Sequence, residues 1–188
     1  MIVLASQSPR RKEILRMAGL PFTVRVPGVE EVRQAGETAH QYVERLAREK
    51  ALAVDALPQE FVVAADTTVV VDEHVLEKPA SEAEAIGMLT RLRGRQHVVL
   101  TGVCVRHNHQ VWSGVESTAV TFAPLTDADI QAYAASGEPF DKAGGYAIQG
   151  LASKYITRVE GCFFNVVGLP VARLYEMLKA AGYSLALG

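Results

Sequence analysis

Apolar positions along the chain recur with two periods, and the switches between them lay out the elements. Ile2 to Ala5 is a four-residue apolar run that predicts a short buried strand. Ser8 then offers an N-cap hydroxyl and Pro9 a first helical position. Ile14, Leu15 and Ala18 mark the apolar face of that helix, which Gly19 stops. Phe22 to Val26 alternates as a strand, broken by Pro27 and Gly28. Thr38 and Gln41 stand at capping-box spacing and open a second helix with the stripe Val43, Leu46, Ala47, Ala51 and Val54. Phe61 to Val71, rich in valine, threonine and alanine, predicts a central strand that turns near Asp72-Glu73-His74 and returns at Val75-Leu76. Ser81 and Glu84 cap a third helix, running to about Leu92 before Gly94. His97 to Arg106 and Val111 to Phe122 predict two long strands in a hairpin around Asn108. Thr126 starts a helix ending near Ser136-Gly137, and Pro170 starts the last one, with Leu174, Met177 and Leu178 ahead of a stop at Gly182.

Strands alternating with helices, plus a hairpin, predict an α/β fold with a mixed sheet, in a single domain over residues 1–188. The polar, glycine-rich stretch from Gly137 to Gly150 is long for a connection, and long connections in compact domains often carry function.

Composition changes this picture little. At 49% hydrophobic, the 188 residues can build one substantial core. With 19 basic against 21 acidic residues there is no global positive field to bind nucleic acid, so any polyanion must be met by a local cluster. Cys104 and Cys162 show no CxxC spacing, which fits a reducing cytoplasm. No stretch reaches the roughly 20 apolar residues that span a bilayer, and Met1 to Ser6 carry no basic leader, so the expectation is a cytoplasmic chain outside the membrane.

The candidate chemistry is local. Ser6 to Lys12 lies between a strand and a helix start, where amides and the helix dipole attract phosphate and Arg10 and Arg11 can clamp its oxygens. The alternative there is a solvated basic face. Lys50 continues the apolar stripe of its helix, so it either snorkels to a rim or points into a cleft. Asp66 is embedded in an apolar strand; such a carboxylate has a partner, a metal, a catalytic task, or a structural role as an acceptor for backbone amides. Lys78, in Glu77-Lys78-Pro79, follows the returning strand, at a place that could approach Asp66 or be an ordinary surface turn. Glu30-Glu31 sits in a broken segment, and one of the pair could join Asp66 in giving oxygen ligands to magnesium or manganese. In Asp141 to Gly150, glycines permit close backbone approach, and the Gln149 amide both donates and accepts; a mobile surface loop is the other reading. Cys104, His107 and His109 lack an evident fourth ligand for zinc, and no Walker, dinucleotide-binding, serine-elbow or HExxH motif occurs.

Six blocks in order, LASQSPRRKEIL, ERLAREKA, AADTTVV, EKP, DKAGGYAIQG and NVVGLP, resemble those of the Maf family over nearly the whole chain. The resemblance implies an elongated mixed sheet with flanking helices, two lobes around a cleft, similar to inosine triphosphate pyrophosphatases, and a homodimer. It implies hydrolysis of a nucleoside triphosphate to the monophosphate and pyrophosphate, with dTTP and UTP preferred because the segment ends in IQG. In this reading Asp66 matches the proton acceptor, and Glu31, Lys50 and Lys78 match polar residues of the catalytic cleft. Arg11, Thr67 and Gln149 match positions tied to substrate choice, with Ser8 and Arg10 in the phosphate-binding loop. A divalent cation, magnesium or manganese, would be held by Glu31 and Asp66. Two further readings stand beside it: a nucleotide-binding regulator of cell division, and a pyrophosphatase of the same family for methylated or otherwise modified nucleotides.

Overall fold

The computed structural model describes residues 1–184. Its elements are β1 (Ile2–Leu4), α1 (Pro9–Met17), β2 (Phe22–Val24), α2 (Ala39–Leu52), β3 (Phe61–Val71), β4 (His74–Leu76), α3 (Glu82–Leu92), β5 (Gln96–His107), β6 (Gln110–Phe122), α4 (Asp127–Ala134), β7 (Ile156–Glu160), α5 (Phe163–Val167) and α6 (Val171–Ala180). Single 3₁₀ turns occupy Glu138–Asp141, Ala143–Gly145 and Leu151–Tyr155.

The helix starts follow from local chemistry. Ser8 Oγ accepts from the Arg11 amide, with Pro9 at the first helical position. Thr38 with Gln41, and Thr126 with Asp129, form reciprocal capping boxes. Ser81 caps α3 in the same way, but the Glu84 carboxylate accepts from the Ala80 amide, one residue earlier than a capping box would place it.

Seven strands form one mixed sheet in the order β2-β1-β3-β5-β6-β7, with β4 paired to β3 off that path. β1 runs parallel to β2 and β3, while β4 pairs with β3, and β7 with β6, antiparallel. The parallel neighbours are linked through helices, as crossover connections require, and the antiparallel β3 and β4 through a tight turn. Asp72 and Glu73 in that turn both adopt positive φ, 47° and 64°, the backbone that a two-residue hairpin loop needs. Arg95 holds Asp72 at 2.5 Å.

The chain divides into two compact units: Met1–Asp66, Thr101–Glu116 and the segment from Gly168 onward make the first, and Thr67–Leu100 with Ser117–Val167 the second. Each has its own core. In the first, Ala47 and Ala51 of α2 and the nearby Val54 pack on Val3, Ala5, Val62, Ala64 and Cys104. In the second, Leu89, Leu92, Ile130, Tyr133, Tyr146 and Tyr155 surround Val69, Val99, Val120 and Phe122. Each buried valine, leucine, isoleucine or phenylalanine among them contributes roughly 1.5 to 3 kcal/mol by leaving water.

Three features depart from the sequence reading. β2 ends at Val24 rather than Val26. The stretch from Gly137 to Gly150 is two 3₁₀ turns and a reverse turn rather than a bare loop, and Gly144 (φ 69°) within it lies so close to Val69 that an added β-carbon would come within 2.7 Å of a valine methyl. The sequence reading contains neither β7 nor α5.

Candidate active site

Three of the singled-out residues meet on one ammonium group within the first unit. Lys50 lies in the last turn of α2 and is only 6% exposed; Asp66, in β3, is 7% exposed. Lys50 Nζ donates to Asp66 Oδ1 at 2.6 Å and pairs with Glu31 Oε1 at 2.5 Å. The lysine therefore neither snorkels nor lines an open rim; it bridges two carboxylates.

The closeness of α2 to the sheet makes this possible. A β-carbon at Gly102 in β5 would collide with the Val43 carbonyl of α2, so the helix backbone rests directly on the strand. Glu31 is placed from the same helix. Tyr42 Oη donates to the Glu31 carbonyl at 3.2 Å. Arg45 donates to both Glu37 carboxylate oxygens, at 2.6 and 2.8 Å, and to the Val32 carbonyl at 2.9 Å. The Arg45 hydrogen bonds hold the Glu37 carboxyl below its usual range, and Glu37 in turn raises Arg45.

Arg11, in the first turn of α1, belongs to the same cluster. Its Nε donates to the Gly168 carbonyl at 2.8 Å and its Nη1 to Ser6 Oγ at 3.2 Å. Burial lowers its pKa, and the charges of Asp66 and Glu31 act in the opposite sense. Ser6 Oγ also accepts from the Ser8 amide at 3.2 Å, fixing the bend before α1. The first turn of α1 carries Arg10, Arg11 and Lys12 with no acidic residue, an arrangement that an anion at the helix start would stabilise.

The other named residues lie in the second unit. Thr67 is half-buried, next to Asp66 in the sequence. Lys78 is exposed on the segment after β4. Gln149 is exposed at the tip of a reverse turn closed by Gly150 N–H donating to the Ala147 carbonyl at 3.1 Å. Its side-chain amide makes no hydrogen bond among the described residues, so it does not serve to brace its own loop.

Sequence reasoning included Ser6 in the Ser6 to Lys12 segment but missed Tyr42, Arg45 and the Gly168 carbonyl. The i, i+4 pair of Arg45 with Glu49 was legible on α2, but nothing in it announces a grip on Glu37 and Val32. Cys104 is buried, and burial pushes its thiol up to about 12; no cluster of three or more histidine, cysteine or acidic side chains able to hold a metal occurs among the described residues.

The chain is 52% identical to the dTTP/UTP pyrophosphatase of Koribacter versatilis over 182 residues, covering 96% of this chain and 94% of that protein. It is 49% identical to that of Symbiobacterium thermophilum, over 100% and 97% of the two chains, and 50% identical to that of Vibrio cholerae, over 94% and 96%. Among solved structures, a HAM1 protein from Coxiella burnetii shares the fold, with a TM-score of 0.53 at 17% identity over 95% of this chain and 98% of that one. The Maf-like protein model matches residues 1–181, a span that includes every residue of the ionic cluster, and the chain is a member of that family.

Proposed function

We propose that the protein hydrolyses dTTP and UTP to the nucleoside monophosphate and pyrophosphate, with the chemistry carried out at the Lys50–Asp66–Glu31 cluster. The observation that carries this reading is the buried ammonium shared by two carboxylates. Isolating such charges from water costs several kcal/mol per ion, so a buried ion pair is a poor device for stability and a good one for chemistry. The substrate class rests on the names of the relatives that are about half identical over nearly full length.

In this mechanism Asp66 accepts a proton from water as the oxygen attacks the α-phosphorus. The bond from the α-phosphorus to the bridging oxygen breaks, and pyrophosphate leaves with that oxygen. Lys50 holds Asp66 in place through one carboxylate oxygen, so the other can take the proton. Arg11, with Arg10, offsets charge building on the phosphate oxygens. Glu31 and Asp66 also suit a magnesium or manganese ion: both give hard oxygen donors, and such ions bind through one or two carboxylates with phosphate oxygens completing the shell. When bound, the ion would supply charge neutralisation at the phosphates. Gln149, together with Thr67, reads the base, since a glutamine amide matches the adjacent acceptor and donor of uracil or thymine. The two free cysteines support a cytoplasmic setting, and no described helix is long and apolar enough to cross a membrane.

The test is hydrolysis of UTP, dTTP, CTP and GTP in ¹⁸O-labelled water. UMP and dTMP carrying the label, with unlabelled pyrophosphate, is the expected result. Label in the pyrophosphate, or release of inorganic phosphate with a diphosphate, would overturn attack at the α-phosphorus.

A further inference from the structure

We propose that Tyr133 and Glu138 are positioning residues for nucleotide selection: together they latch the turn Ala147–Gly150 at both ends and so set where Gln149 presents its amide. This rests on the reading of Gln149 as the base-recognising residue.

The hydrogen bonds form a closed circuit. Tyr133, near the end of α4, donates its hydroxyl to Glu138 Oε1 at 2.7 Å and accepts on the same oxygen from the Ala147 amide at 3.3 Å. Glu138 Oε2 accepts from the Leu151 amide at 3.0 Å. One phenol and one carboxylate thus grip the residue that opens the turn and the residue just after it. Inside the turn, Ile148 is buried at 8% exposed and Gln149 points outward. The turn is a short lever with its anchor inside and its reading group outside.

Gly150 makes the grip possible. A β-carbon there would collide with both Glu138 carboxylate oxygens. Its φ of −105° is open to any residue, so glycine is needed for close approach and not for backbone freedom. The segment leading in is fixed independently: Tyr146 is packed edge to face on Phe122 and His97, with ring centroids 4.8 and 5.4 Å away, and its hydroxyl meets His97 Nε2 at 2.7 Å. The segment leading out is held by Ala152, which is fully buried. With both flanks fixed in the core, the direction of Gln149 depends on the latch between them. Burial and the Glu138 carboxylate both raise the Tyr133 pKa, so the phenol keeps its proton and remains a donor across the working range of pH.

A purely structural pair would affect all substrates alike, whereas a latch on the reading group affects the choice among them. The experiment measures kcat and KM on UTP and CTP for the wild type, Tyr133→Phe, Glu138→Gln and Gln149→Ala, with melting curves. Tyr133→Phe keeps the ring packing and removes only the hydroxyl. Glu138→Gln keeps the length but replaces one of two acceptors with a donor. Both are expected to raise KM for UTP about tenfold, to narrow the UTP to CTP ratio of kcat/KM at least about fivefold, and to leave kcat within about twofold. Should Tyr133→Phe fail to fold, Glu138→Gln, half-buried and outside the aromatic contacts, carries the test. If Gln149→Ala narrows the ratio while both latch variants lose activity equally on UTP and CTP, or lose none, the latch is overturned and base reading stands. If Gln149→Ala leaves the ratio unchanged, base reading fails and the latch falls with it.

Discussion

A buried lysine that holds two acids is a different object from three separate site residues. Lys50 and Asp66 are nearly sealed from water, while the Glu31 side chain is 42% exposed, so the cluster has a dry side and a wet side. Asp66→Asn keeps an oxygen for Lys50 and the volume of the side chain, so the fold should survive. Turnover should fall about a hundredfold, the usual scale for losing a general base. Near-normal turnover with an unchanged melting curve would remove Asp66 from that role. Arg45 tests the wet side. It touches neither Asp66 nor Lys50, yet its bonds to Glu37 and the Val32 carbonyl define the path of the segment that carries Glu31. Arg45→Ala should lower kcat/KM about tenfold through misplacement alone. Glu31→Gln made in the Arg45→Ala background should then cost less than it does in the wild type. Equal costs in the two backgrounds would show that Arg45 does not act through Glu31.

At the scale of elements, α2 is what brings the site together, and its contact with β5 at Gly102 has no room to spare. Gly102→Ala should push the helix outward and cost on the order of 3 kcal/mol, read as a lower midpoint in urea, with activity falling alongside. An unchanged midpoint would mean that α2 can shift without penalty. The same helix shows what could be read in advance. Its cap, its stripe and the placing of Lys50 on that stripe are local patterns of spacing, and they appear as expected. So do β3 and the β5–β6 hairpin, whose runs of β-branched residues leave little choice. β7 was hidden because Ile156–Glu160 is a mostly exposed strand at the edge of the sheet, with polar Thr157, Arg158 and Glu160. In the site, residue types pointed to Lys50, Asp66 and Glu31. The Arg11 contact with the Gly168 carbonyl could not be read, because a backbone acceptor 157 residues away leaves no trace in side-chain pattern.

For the whole molecule, the two cores should answer differently to acid. His97, in the second, is held down to about 4 from an ordinary 6.5 by burial. The unfolded chain therefore binds more protons between those values, and stability present above pH 6.5 is lost as pH falls toward 4, by about 3 kcal/mol in all. In the first unit, Arg25 grips Glu60 through both oxygens and, with the Leu57 amide, holds that carboxyl at about 2, so its contribution persists until pH falls below about 4.5. Hydrogen-exchange protection factors, corrected for the intrinsic rate at each pH from 7 to 4.5, should fall first in α3 and α4, and His97→Gln should flatten that dependence. A fall starting instead in α2 would refute the assignment. The interleaving of the units also bears on how the protein is made. Ser6, Arg11, Lys50 and Asp66 all emerge early from the ribosome, but the first unit also requires residues from Gly168 onward. Until that carbonyl has been synthesised, Arg11 lacks the acceptor that holds its Nε. In a nascent chain that bond can form only after residue 168 has been added, when nearly all of the chain has been made.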